Sequence, residues 1–207
     1  LAETMEGVTV EWMKKVSREN GIVLTGSLMI EEAGNYYNRL VWMLPNGQYG
    51  HYDKRHLFAF GEEDKHYSPG NKRLIASVKG WKINLQVCYD LRFPVWARQQ
   101  NTETGAEYDL LIYVANWPER RSHAWKTLLC ARAIENQCYV VGVNRVGSDG
   151  KNVYHSGNSL VIDPLGQVLY HMADEEDVNT ITLQKEMLED VRNKFPFWKD
   201  ADTFNIQ

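Results

Sequence analysis

Three kinds of side chain in this sequence could together carry covalent chemistry: a cysteine that closes an apolar run, a lysine, and a short run of acids. Cys88 follows Ile83–Asn84–Leu85–Gln86–Val87 and precedes Tyr89–Asp90–Leu91–Arg92–Phe93–Pro94. A thiol at a strand end, with backbone N–H groups turning away behind it, sits where it can face a cleft. Its thiolate is the reactive form, and nearby cations or a helix N-terminus favour it. From this segment alone an inert core cysteine is the stronger reading. Lys54, between Asp53 and Arg55, reads by itself as a solvated loop charge, and Glu62–Glu63–Asp64 as solvated acids. Taken together they supply a nucleophile, a base or cation, and a carboxylate, the parts that covalent acyl transfer requires.

Those positions need a scaffold. Residues 4–20 read as a helix, with Val8, Trp12, Met13 and Val16 on one face and Glu3, Glu6 and Glu11 toward its N-terminal half. Asn20–Gly21 is its stop signal. The apolar run 22–30, with the small residues Gly26 and Ser27, suits a strand buried on both faces. Strands at 39–44 and 48–54 form a hairpin about Pro45–Asn46–Gly47. The polar loop 61–70 is long enough to suggest function. Strands are expected at 74–78 and 81–87, with Cys88 ending the second, and a helix at 95–100 behind Pro94.

A buried-type strand at 108–115 runs into Asn116–Trp117–Pro118. The helix 122–137 carries Trp125, Leu128, Leu129, Ala133 and Ile134 on a mainly apolar face. Strands at 139–144, 159–162, 167–170 and 180–183, a loop at 146–150, a helix at 185–193 and an aromatic tail at 195–204 complete the chain. Strands alternating with helices and hairpins predict an α/β class with a mixed sheet covered on both faces, as one domain over residues 1–207.

Composition excludes several functions. The 207 residues are 43% hydrophobic and 24% charged, as in ordinary globular domains. A net charge of −4 with scattered basic residues, Arg120–Arg121 being a rare pair, argues against nucleic acid. No apolar run approaches the roughly 20 residues of a membrane span, so no membrane partner is expected. Three cysteines, Cys88, Cys130 and Cys138, without CxxC spacing argue against a zinc site and for a cytoplasmic location. Seven tryptophans and eleven tyrosines are read as packing and interface residues.

Four motifs then stand in order: Tyr52–Asp53–Lys54–Arg55–His56–Leu57–Phe58, Val87–Cys88–Tyr89–Asp90–Leu91–Arg92–Phe93–Pro94, Val114–Ala115–Asn116–Trp117–Pro118 and Cys130–Ala131–Arg132–Ala133–Ile134–Glu135–Asn136. Their order and spacing resemble the nitrilase superfamily of carbon–nitrogen hydrolases, and their residue choice is most similar to the ω-amidase branch. The likeness covers nearly the whole chain. It implies a four-layer αββα sandwich with mixed sheets, and hydrolysis of ω-amides of 2-oxo acids such as 2-oxoglutaramate. No metal or organic cofactor is implied, since the chemistry is acyl transfer through cysteine.

By the same resemblance Cys88 is the nucleophile that forms a thioester and releases ammonia. Lys54 is the lysine that stabilises the oxyanion, and the Tyr89 backbone N–H is the second oxyanion donor. Glu63 is the second carboxylate, with Glu62 as the fallback. Asn116, Trp117 and Arg120 or Arg121 line the substrate pocket, where an arginine would meet a carboxylate. The helix 122–137, with its tryptophan and small residues, resembles the element through which family members form a homodimer or larger homo-oligomer. Packing on its own sheet alone is the other reading.

One departure matters. The family's general-base glutamate ends a strand that precedes the helix opening this chain, and that strand is absent here. Glu3 and Glu6 lie on a different element and do not replace it. The chain is then expected to be a fragment, as its lack of an initiator methionine suggests, or a natural truncation with impaired catalysis. Its sheet is expected to expose an edge. The competing functions are a nitrilase or N-carbamoyl-amine hydrolase of the same superfamily, and a degenerate member kept for binding or assembly.

Overall fold

Alternating apolar positions sort the strands into two sheets that meet face to face. The computed structural model describes residues 1–102 and 105–206. The first sheet is antiparallel, in the order β1 (Leu24–Glu32), β2 (Asn35–Met43), β3 (Tyr49–Asp53). The chain then runs through two short 3-10 turns to β4 (Leu74–Val78) and β5 (Trp81–Val87), whose end carries Cys88. Helix α2 (Pro94–Ala97) and a two-residue ladder of β6 (Asn101–Thr102) with β7 (Gly105–Ala106) lead to β8 (Leu110–Ala115). Helix α3 (Ser122–Asn136), β9 (Tyr139–Asn144), β10 (Val146–Ser148), β11 (Tyr154–Ile162), β12 (Val168–Ala173) and α4 (Lys185–Lys194) follow. The second sheet runs β10-β11-β9-β8-β5-β4, with β12 also on β11. Its middle is parallel, β5 on β8 on β9, and its flanks antiparallel.

Three apolar clusters fill the spaces between four layers. Helix α1 (Val8–Asn20) covers the outer face of the first sheet, where Val10 and Met13 meet Ile30, Val41 and Met43. Between the sheets, Leu40, Trp42 and Tyr52 meet Ile83, Leu85 and Val87. On the far face of the second sheet, Trp125, Leu129 and Ala133 of α3 pack on Leu111, Tyr113 and Val140. The layering is αββα. Gly142 lets α3 approach, because a Cβ there would collide with Leu129 and the Trp125 ring.

Several sequence expectations shift. Helix α1 starts at Val8, and its buried face is Val10, Met13 and Ser17, while Val8 and Trp12 are exposed. Glu3 is not helical. It bridges Ile30, and its carboxylate accepts the Thr9 N–H at 2.8 Å. Gly21, at φ 63, ends the helix in the left-handed conformation, as the Asn20–Gly21 signal anticipates. Strand β1 is not buried on both faces, because only Ile30 is fully enclosed. Beyond the Glu3 bridge, its outer edge is unpaired among the described residues.

The helix after Pro94 stops at Ala97: Arg98 is extended at ψ 125, and the Gln99 N–H donates to Asn136 Oδ1 at 2.8 Å instead of to a helix carbonyl. Residues 146–148 form a strand rather than a loop. Residues 180–183 form none: Ile181 and Leu183 lie across the inner face of the second sheet, beside Val141 and Val161, where no strand edge is offered. Trp125 of α3 is wholly buried against its own sheet. Among the described residues no helix is long and apolar enough to cross a membrane.

Candidate active site

Register brings the carboxyl ends of three parallel strands side by side. Val87 pairs with Val114, and Ala115 with Asn144. The chain leaves each strand there, at Cys88, Asn116 and Arg145, which is where open parallel sheets hold ligands. Val87 is extended, but Cys88 has φ 46, a conformation costly for a residue with a Cβ. The backbone turns at once into a 3-10 helix, Cys88–Arg92. The thiol is thereby turned into a cavity of about 490 Å³ that Lys54, Glu63, Trp117 and Arg121 also line. As the second residue of that helix, Tyr89 has an N–H of the kind a helix start leaves unpaired.

Lys54 arrives from the other sheet. It follows β3 and is almost completely buried, and its ammonium pairs with Glu63 Oε2. Its N–H donates to Asn38 O at 2.9 Å, and its carbonyl accepts from the Gly70 N–H at 3.0 Å. Gly70 makes the long loop close here, since a Cβ at that position would strike the Asp53 carbonyl. Glu63 is held by the Phe58 N–H at 2.7 Å and the Asn38 amide at 3.0 Å. Glu62, the alternative carboxylate, is exposed and pairs with Lys65 at 2.6 Å. Of the two, Glu63 lines the cavity and reaches Lys54.

The Cys88 thiol is pushed up by burial; the Lys54 charge and the Asn116 backbone N–H pull it down, and Glu63 and Asp90 raise it further. Asn144 anchors the loop that carries Asn116. Its side chain accepts the Trp117 N–H at 2.7 Å and donates to Trp117 O at 3.0 Å and to Gly157 O at 2.6 Å.

The pocket arginine is Arg121. It lies over the Phe58 ring at 5.3 Å and lines the cavity, whereas Arg120 faces solvent outside it. Burial pushes the Arg121 guanidinium down, and the charges of Arg120 and Arg92 add to this. Arg92 lines the cavity from over the Trp117 ring, at 4.9 Å, and Arg145 lines it from the end of β9. Neither Arg92, Arg145 nor Asn144 is singled out by the sequence reading, although Arg92 lies inside the quoted Cys88 motif. Glu3 and Glu6 do not line the cavity. Among its described lining residues Glu63 is the only carboxylate.

Comparison with known proteins shows the family. The carbon–nitrogen hydrolase family model matches residues 1–193. The chain is 45% identical over 199 residues to an Escherichia coli K12 protein named ω-amidase YafV, covering 95% of this chain and 75% of that protein. It is 36% identical over 191 residues to a Bacillus subtilis 168 protein named 2-oxoglutaramate amidase, covering 91% and 72%. A crystal structure of XC1258 from Xanthomonas campestris, a CN-hydrolase superfamily protein with an arsenic adduct in its active site, superposes with a TM-score of 0.98. It is 45% identical and covers 100% of this chain and 79% of that one. An amidase variant from Nesterenkonia sp. AN1, carrying acrylamide added at its active site cysteine, is 26% identical with a TM-score of 0.76, covering 94% and 76%. The chain therefore belongs to the carbon–nitrogen hydrolase family, the nitrilase superfamily, on its ω-amidase branch.

Proposed function

We propose that the protein hydrolyses a small ω-amide of a 2-oxo dicarboxylic acid, of the 2-oxoglutaramate kind, to the acid and ammonia through a thioester on Cys88. The observation that carries this is one cavity holding Cys88, Lys54 and two aromatic-stacked arginines, Arg92 and Arg121, with no carboxylate partner among the described residues. A surplus of positive charge suits an amide whose far end is a carboxylate. The ω-amidase and 2-oxoglutaramate amidase relatives support the same substrate class.

The proposed bond changes use the groups that line this cavity. Cys88 sulfur attacks the amide carbon, and the carbonyl π pair moves to oxygen. Lys54 and the Tyr89 N–H are the donors assigned to that oxyanion, where preorganised charge is most effective. Collapse breaks the C–N bond, and the nitrogen leaves as ammonia with the proton that was on the thiol. Water then adds to the thioester and the C–S bond breaks, giving the carboxylic acid and restoring the thiol. Glu63 is occupied by Lys54, the Phe58 N–H and the Asn38 amide. Its role is to hold Lys54, and the proton of Cys88 ends on the departing nitrogen.

The test is ammonia release by the intact protein from 2-oxoglutaramate, set against a nitrile and an N-carbamoyl amine. Turnover of the ω-amide and none by Cys88→Ala is expected. A preference for either of the other substrates reassigns the reaction within the superfamily, and activity in Cys88→Ala sinks the mechanism.

A further inference from the structure

The carboxylate of Asp90 takes no part in those bond changes, yet it joins the two loops that carry Cys88 and Lys54. We propose that Asp90 is a positioning residue: it locks the end of β3 to the turn after β5 and so sets Lys54 at its working distance from Cys88. The inference rests on the assignment of those two residues as the reacting groups.

Asp90 is fully buried, and among the described residues the hydrogen bonds of its carboxylate all go to these two segments. Its Oδ2 accepts the Val87 N–H at 3.0 Å, one residue before the thiol. The same oxygen accepts the Tyr52 hydroxyl at 2.8 Å, two residues before the lysine. Its Oδ1 accepts the His56 N–H at 3.0 Å and lies 2.8 Å from His56 Nδ1. The Tyr52 hydroxyl in turn accepts the Arg55 N–H at 3.2 Å and Trp96 Nε1–H at 2.9 Å. The two N–H groups directly after Lys54 are thus both tied to Asp90 or to its tyrosine partner. The His56 ring lies flat on Phe93, with centroids 3.8 Å apart and planes at 6°, which adds a second grip on the Cys88 segment.

The need for such a lock follows from the layering. Lys54 belongs to the first sheet and Cys88 to the second, and apolar packing between sheets is non-directional. Lys54's own backbone bonds, to Asn38 and Gly70, stay within the first sheet and its loop. Directional bonds across the gap are what hold one reacting group against the other, and a fully satisfied buried network supplies them.

Asp90→Asn keeps the size but turns one acceptor oxygen into a donor. Turnover of 2-oxoglutaramate by the intact protein is expected to fall about 10- to 100-fold in kcat with KM changed much less, the loss that a misplacement of about 1 Å produces. Tyr52→Phe removes one hydroxyl from the same carboxylate and is expected to lose kcat in the same direction by less. The decisive reading is coupling: in a Lys54→Met background Asp90→Asn adds little further loss, because residues acting through one another are not additive. The same fold-loss in both backgrounds means a merely structural role and overturns the proposal. Should Asp90→Asn not fold, Tyr52→Phe carries the test, and parental kcat in that variant overturns it. Activity retained by Cys88→Ala, or parental kcat in Lys54→Met, would instead overturn the reaction itself.

Discussion

Glu63 reaches Lys54 from within the long polar loop and, with the Asn38 amide and the Phe58 N–H on its other bonds, holds a buried ammonium beside a thiol of the opposite sheet. Removing one partner of such a pair leaves the other as an uncompensated buried charge. Lys54→Met is expected to lower kcat by about 10²- to 10³-fold, the cost of one oxyanion donor. Glu63→Gln lowers it in the same direction, while Glu62→Gln, at the surface, changes neither activity nor stability measurably. Steady-state ammonia release from the three purified variants checks the activities, and urea midpoints check the stability of Glu62→Gln.

Cys88 titrates above the ordinary thiol range because burial outweighs the pull of Lys54 and the Asn116 N–H. Deleting the Lys54 charge removes a stabiliser of the thiolate, so the pH midpoint of Cys88 alkylation by iodoacetamide moves further up in Lys54→Met. Mass spectrometry of the Cys88 peptide separates this from the half-buried Cys130. A midpoint that stays put, or falls, contradicts the assigned coupling.

Arg121 and Arg92 predict a split between substrates. Arg121→Gln is expected to raise KM for 2-oxoglutaramate by about 10- to 100-fold, the worth of a charge-assisted pair, with little effect on an uncharged amide of similar length. Arg92→Gln behaves alike, and Arg120→Gln resembles the parent, because Arg120 faces solvent. Equal losses on both amides would remove the carboxylate reading.

Alkaline stability follows from groups held neutral. Burial pushes up the thiols of Cys88 and Cys138 and the hydroxyls of Tyr52, Tyr108 and Tyr113. Above their unfolded values, about 8.5 for cysteine and 10 for tyrosine, the unfolded chain loses protons that the folded chain keeps. Stability contributed by these protons is complete below those values and falls as pH rises through them, by up to about 1.4 kcal/mol per pH unit for each group. Urea midpoints should hold level up to about pH 8.5 and fall from there to about pH 11, and Cys138→Ala should shallow that slope.

How much of this was written locally can be seen residue by residue. The β5 run and its terminal Cys88, the β3 hairpin arm ending at Lys54, and helix α3 were legible because strand and helix periods repeat within a few residues. The ordered motifs carried the αββα layering and singled out Cys88 and Lys54, which line one cavity. Choices between neighbours were not legible. Glu62 and Glu63 are chemically alike, and Glu62 at φ 62 turns the chain so that only Glu63 points inward. Arg120 and Arg121 differ only in their phase on a one-turn 3-10 helix. Residues 180–183 alternate like a strand, yet pairing needs a free edge, and that segment lies on a face. The link from Asp90 to Tyr52 and His56 spans more than 30 residues and two sheets, and no spacing within either segment announces it. Sequence by itself determined which side chains could react and the elements that carry them. Only the tertiary structure decided which neighbour faces the cavity and what holds Lys54 against Cys88, because those outcomes depend on how two separately hydrogen-bonded sheets come to rest on one another.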